Sequence, residues 1–157
     1  MKKLYSMKNV VLLENVRSAY NVWNIIRTAD SLWWEVWITW YTPSPVDNLK
    51  VCKTSLWAEN NVWLRQFDFA IDAINEVRSM WLEVIAAELT KDSVSLWEFV
   101  CSSKDWVAVI FWNEVDGVME KTLKEVDKVV EIPMKWIKES MNVWQSTAIF
   151  MWELRKK

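Results

Sequence analysis

The side chains that could do chemistry in this chain gather in three short segments. The first is Asn21-Val22-Trp23-Asn24-Ile25-Ile26-Arg27-Thr28-Ala29, a loop running into a helix. Asn21 is expected to cap that helix, and Arg27 stands about one turn beyond position 23. The second, Phe111-Trp112-Asn113-Glu114-Val115-Asp116-Gly117-Val118, makes a sharp turn at the carboxyl end of a strand. In open α/β sheets that end is where ligands bind. The third, Ile132-Pro133-Met134-Lys135-Trp136-Ile137-Lys138-Glu139-Ser140-Met141-Asn142-Val143, again joins a strand end to a helix. Taken singly, each is also what an ordinary strand-turn-helix with a solvated arginine would show, and for any one segment that is the commoner reading.

What is missing narrows the chemistry. The 157 residues contain no histidine, which removes Ser-His-Asp and Cys-His nucleophile pairs and His-ligated metals. The two cysteines, Cys52 and Cys101, lie far apart, so a thiolate metal site is not expected either. Lys and Arg number 19 against 21 Asp and Glu, so no global basic field announces nucleic acid. With no signal-like start and no apolar run of membrane-spanning length, the chain is expected to be a reduced, cytoplasmic protein.

These segments need a scaffold, and the apolar pattern supplies one. Val10-Val11-Leu12-Leu13, Val36-Trp37-Ile38-Thr39, Val84-Ile85-Ala86-Ala87, Val107 to Phe111 and Val129 to Ile132 read as buried strands. Between them run helical stretches: Asn21 to about Trp33, one capped by Asp68 whose Ile71, Ile74 and Val77 share a face, a turn from Val118 to Val126, and a last helix from about Val143 to Arg155. Continuous Val/Ile runs separated by helices predict a parallel sheet covered on both faces. The length suits one domain.

The composition is inverted in one respect. Tryptophan occurs 14 times and glycine once, at Gly117, where average usage would give roughly eleven glycines. Several of these tryptophans stand where turns call for glycine, as in Ser31-Leu32-Trp33-Trp34 and Ser79-Met80-Trp81. Most are therefore expected to be glycines specified by UGA, a codon that different genetic codes read as glycine or as tryptophan. UGG codons at Trp23, Trp112 and Trp136 would overturn this. The alternative is a truly tryptophan-rich protein that uses its indoles as stacking platforms for sugars or bases.

With glycine in mind, the three segments together resemble the SpoU (TrmH-type) branch of the SPOUT-class RNA 2'-O-methyltransferases. That family shows N-x-G-N-I-x-R-T-A, then G-N-E-x-x-G, then I-P-M-x-G-x-x-S-L/M-N-V, and tryptophan stands here at each of the three glycines, Trp23, Trp112 and Trp136. Tyr41-Thr42-Pro43 and Lys53-Thr54-Ser55-Leu56-Trp57-Ala58-Glu59 resemble the family's G-Y-T-P and K-T-A-L-G-A-E. The resemblance runs from Val10 to Glu153. It also places Trp33, Trp40, Trp57 and Trp81 on family glycines and makes glycine expected at Trp34, Trp106 and Trp144. Trp63 and Trp152 are expected to be true aromatic core residues, while Trp37 and Trp97 fall on neither side.

The resemblance implies a single SPOUT domain over residues 1–157, without a separate N-terminal RNA-binding domain. It implies an α/β fold whose parallel sheet, flanked by helices, ends in a deep C-terminal trefoil knot, an exception to the usual unthreaded connections. It implies S-adenosylmethionine as cofactor, held by Ala87, Glu88, Trp112, Ile132, Ser140 and Met141, and a methyl transfer to a ribose 2'-hydroxyl of tRNA or rRNA. Arg27 would be the central catalytic residue, with Asn21, Glu114, Ser140 and Asn142 around it. Lys50, Lys53, Lys135 and Lys138 would meet RNA phosphates, or else form an ordinary solvated surface. An indole at 112 or 136 would occupy the cofactor's space. The family acts as homodimers, and the last helix, with Ile149, Phe150, Trp152 and Leu154, is either that interface or core. The alternative on the same fold is an RNA-binding module that no longer methylates.

Overall fold

A computed structural model describes residues 9–44, 63–102, 106–112, 117–134 and 141–155. Its strands are β1 (Val10–Glu14), β2 (Glu35–Thr39), β3 (Leu64–Phe67), β4 (Glu83–Ala87), β5 (Val94–Ser95), β6 (Val107–Trp112) and β7 (Lys128–Glu131). Its helices are α1 (Ala19–Leu32), α2 (Ala70–Ser79), α3 (Glu120–Leu123) and α4 (Val143–Glu153). Among the described residues the strands form one sheet in the order β3-β2-β1-β6-β4-β7-β5. Every recorded pairing is parallel. The expected parallel α/β sheet is therefore the observed one.

The central strands β1, β2, β4 and β6 are largely apolar because both faces are covered. Alternate residues point opposite ways. Val11, Leu13, Val36, Ile38, Val109 and Phe111 meet α1 and α4 on one side. Val10, Leu12, Trp37, Val84, Ala108 and Ile110 meet α2 on the other. Burying one such aliphatic side chain contributes about 1.5–3 kcal/mol. Register locks the centre: Leu12 lies opposite Trp37 on one flank and Ile110 on the other.

Helix boundaries differ from the expected ones in two places. Ser18, not Asn21, caps α1: its hydroxyl accepts the Asn21 backbone N–H at 3.3 Å. Asn21 is instead buried in the first turn. At α2 the cap position is Phe69 rather than Asp68, with no side-chain cap bond. The buried stripe there is Ala70, Ala73, Ile74 and Val77, and Ile71 faces outward. Ile74 and Val77 thus lie on the buried face as expected, while Ala70 and Ala73 fill the first turn of that face in place of Ile71.

The tryptophans divide sharply. Trp33 closes α1 in the left-handed region at φ 65, and Trp81 follows α2 at φ 63. Both indoles are largely exposed. A residue with a Cβ is strained in that conformation, where glycine is not. Trp23 has a different difficulty: its indole N–H is buried without a hydrogen-bond partner among the described residues. Trp37 is fully buried. Trp34, expected as glycine, is also packed into the core. Trp63 and Trp152, expected in the core, are exposed instead. Trp63 directly precedes the sheet-edge strand β3. Trp152 points out of α4, with the Arg155 guanidinium over its ring. Trp57 and Trp136 lie outside the described residues.

Candidate functional site

Because the strands are parallel, their carboxyl ends share one edge, and there β1, β6, β4 and β7 lie side by side. A cavity of about 200 Å³ opens at this edge. Its floor is the end of β6, Phe111 and Trp112, and its sides are Ala87 and Glu88 after β4 and Val130 to Ile132 at the end of β7. Met141, Val143, Ser146 and Phe150 close it from the α4 side. Phe111 and Phe150 meet edge to face at 5.4 Å, a geometry that adds about 0.5–1.5 kcal/mol beyond burial. That contact fixes α4 against the sheet and gives the cavity a rigid wall.

Polar groups enter this apolar space from two carboxylates. Glu88 Oε1 accepts the Leu89 N–H at 2.8 Å, and Glu131 Oε2 accepts the Ser93 hydroxyl at 2.6 Å. Each has an oxygen beyond that bond, so the rim suits a ligand with hydroxyls or a positive centre. Gly117 explains its own residue type. It stands at φ 64, and a Cβ there would come within 3.3 Å of Glu88 Oε2.

Five of the residues expected to hold a cofactor, Ala87, Glu88, Trp112, Ile132 and Met141, thus line one cavity. The sixth, Ser140, lies outside the described residues, as do Glu114, Lys50, Lys53, Lys135 and Lys138. Asn142 sits at the cavity's α4 corner but is occupied locally: its side chain accepts the Trp144 N–H at 3.0 Å and caps the helix. Arg27 is exposed on α1, its guanidinium 5.1 Å from the centre of the Trp23 ring. Arg27 and Asn21 do not line the cavity. Both project from the helix that follows β1, the strand beside β6.

Sequence reasoning missed three features of this edge. Glu131 was hidden inside a strand-like run. Gly117 was visible as the lone glycine, although its contact with Glu88 was not. Glu14, at the end of β1 opposite Trp112 in register, is 4% exposed. One of its oxygens accepts the Thr122 hydroxyl at 3.0 Å, while the other has no partner among the described residues. Burial pushes its pKa up, and the Thr122 bond and the Lys121 charge only partly oppose that.

The chain is similar to known proteins over most of its length. Residues 8–152 match the family described as SpoU rRNA Methylase. The chain is 26% identical over 149 residues to a tRNA (guanosine(18)-2'-O)-methyltransferase of Aquifex aeolicus, covering 94% of this chain and 69% of that one. It is likewise 26% identical to the 23S rRNA (guanosine-2'-O-)-methyltransferase RlmB of Neisseria meningitidis, spanning 94% of this chain and 58% of that protein. Among solved structures, an AdoMet-bound rRNA methyltransferase from Sinorhizobium meliloti superimposes with a TM-score of 0.86 at 24% identity, over 96% of this chain and 57% of that one.

Proposed function

The chain belongs to the SpoU rRNA methylase family, and on that premise we propose that it transfers a methyl group from S-adenosylmethionine to a ribose 2'-hydroxyl of tRNA or rRNA. The observation that carries this reading is the convergence of Ala87, Glu88, Trp112, Ile132 and Met141, from four separate places in the chain, on one cavity at the carboxyl edge. With glycine at position 112, as the UGA reading has it, the donor set fits the group: an apolar wall for a flat ring system, and two carboxylates for ribose hydroxyls and positive charge. When bound, S-adenosylmethionine supplies a methyl group already activated as a sulfonium. The protein then needs no covalent intermediate.

The chain's own residues would do two things. Ala87, Ile132, Met141 and Phe150 would keep water from the donor and hold it in one pose. Arg27 would act on the RNA side, binding a phosphate and favouring the negative charge that develops on the 2'-oxygen. A guanidinium keeps its proton under ordinary conditions, so this role is electrostatic and not that of a general base. Asn21 would brace the start of α1, with Glu114, Ser140 and Asn142 framing the cleft, and Lys50, Lys53, Lys135 and Lys138 would add phosphate contacts. The same reading includes a C-terminal trefoil knot, one SPOUT domain and a homodimer in which the exposed Ile149 and Trp152 of α4 face the partner.

The test is Arg27→Ala. Transfer of labelled methyl to bulk tRNA and rRNA should fall at least about a hundredfold, the scale seen when one charge-stabilising donor is removed. Cofactor affinity by calorimetry should stay within about twofold. Activity near wild type would remove Arg27 from the mechanism. A wild-type protein that binds RNA but transfers no methyl would leave the non-catalytic module in its place.

A further inference from the structure

Among the described residues, the left-handed residues with a side chain are Asn15, Trp33, Tyr41 and Trp81; asparagine tolerates that conformation and the two tryptophans stand where glycine is expected, which leaves Tyr41 as the costly geometry to explain. It follows β2 at the carboxyl edge with φ 74, a left-handed conformation that a residue with a Cβ avoids unless its surroundings impose it. The surroundings do impose it. Thr42, 5% exposed, donates its hydroxyl to Leu13 O and accepts the Val16 N–H, both at 3.2 Å. The Thr42 N–H bonds Thr39 O at 3.0 Å, and the Trp40 N–H bonds Phe67 O at 3.1 Å. The turn is thereby fastened to β1, to β3 and to the connection that leads into α1.

The ring gains nothing from this fastening. Tyr41 is 72% exposed. Among the described residues its ring meets that of Trp40, centroids 5.3 Å apart at 54°, and its hydroxyl makes no hydrogen bond. A rigid turn therefore holds an aromatic face in solvent, on the same edge as the cavity and beside the segment leading to Arg27. Strain retained at an exposed position points to an external ligand.

We infer that Tyr41 is a stacking platform for an unpaired nucleobase of the RNA substrate. Single-stranded RNA is recognised by splaying bases onto aromatic faces, and a strained turn delivers such a face without the entropy of ordering it on binding. The inference rests on the methyltransferase reading for the identity of the ligand as RNA. It adds a residue to which neither composition nor cavity assigns a role.

Tyr41→Gly tests it, because it removes the ring and relieves the backbone together. The probe is a fluorescently labelled, unstructured RNA oligonucleotide, followed by anisotropy, with thermal unfolding measured on the same samples. The expected result is a melting temperature that rises by a few degrees while RNA affinity falls about tenfold, with Tyr41→Phe close to wild type in both. Tyr41→Gly binding within twofold of wild type would overturn the inference, and so would a Tyr41→Phe variant as weak as Tyr41→Gly. A ring that served only packing would lower the melting temperature when removed. Failure of the underlying reading looks different: the wild-type protein itself would transfer no labelled methyl to RNA.

Discussion

The two edges of the sheet hold buried carboxylates in opposite conditions. At the amino edge Glu83, at the start of β4, is charge-paired. Lys128 Nζ lies 3.0 Å from one oxygen, and the Ser102 N–H donates to the other at 2.6 Å. Burial would raise its pKa, but the Ser102 and Lys128 bonds outweigh that and hold it below 4.5. Asn9, at the same edge, donates to Leu154 O and accepts the Val107 N–H. At the carboxyl edge Glu14 keeps one oxygen without a partner among the described residues, and its pKa is raised by burial. The backbone divides in the same way. Left-handed residues at the amino edge, Trp33 and Trp81, are helix-to-strand turns. Those at the carboxyl edge are Asn15 and Tyr41, which follow β1 and β2, and Gly117, which lines the cavity. One edge pairs its buried charge, and the other leaves capacity for a ligand.

Breaking the charge-paired edge should have the largest effect on stability. Lys128→Ala leaves Glu83 buried without its charged partner. Loss of one partner of a fully buried pair costs about 3–5 kcal/mol, but Lys128 is 38% exposed, so screening lowers the expected loss to about 2 kcal/mol. Denaturant unfolding at pH 7 measures it. The sign with pH follows from the lowered pKa of Glu83. Its stabilisation is present above pH 4.5 and is lost as pH falls through the folded value, so wild type and variant should converge in acid. A gap that persists at pH 3 would mean that Lys128 acts through packing instead of charge.

Much of the fold was legible because burial on both faces writes strands as unbroken apolar runs, and β1, β2, β4, β6 and β7 all read that way. The edge strands did not. Leu64-Arg65-Gln66-Phe67 carries polar residues because β3 has a neighbour on one side only, and β5 is two residues long. Helix starts were misplaced where a competing side chain was available: Asn21 looked like a cap, but Ser18 three residues earlier takes the Asn21 N–H. The cavity residues were legible through family motifs and not through physics, since nothing in Ala87 or Ile132 alone announces a ligand. Glu14 was invisible for the converse reason: only the fold shows that a strand-ending glutamate is buried beside Trp112.

The amino-edge tryptophans give the next largest effect, and with the opposite sign. Trp81→Gly relieves the left-handed strain and sacrifices little, because the indole is 84% exposed. It should stabilise the protein by about 1 kcal/mol, seen as a higher melting temperature. Trp33→Gly should behave alike, without changing RNA or cofactor affinity. This separates the edges, since relieving strain at Tyr41 is expected to weaken RNA binding. Destabilisation by Trp81→Gly would show that the indole packs usefully and would weaken the case that glycine belongs there.

Glu14→Gln should have the smallest effect and is the most discriminating test of the unsatisfied edge. The amide oxygen can still accept the Thr122 hydroxyl, while the charge is gone. For an acid whose folded pKa is raised, ionisation opposes folding. Relative stability is therefore full below pH 4.5 and is lost as pH rises through the folded value. The variant should match wild type at pH 4 and exceed it by about 0.5 kcal/mol at pH 8, read from unfolding curves at the two values. The reverse order, with the variant weaker at pH 8, would show that the Glu14 charge has a favourable partner in the folded protein. The carboxyl edge would then hold its buried carboxylate as favourably as the amino edge holds Glu83, and the contrast between the two edges would fail.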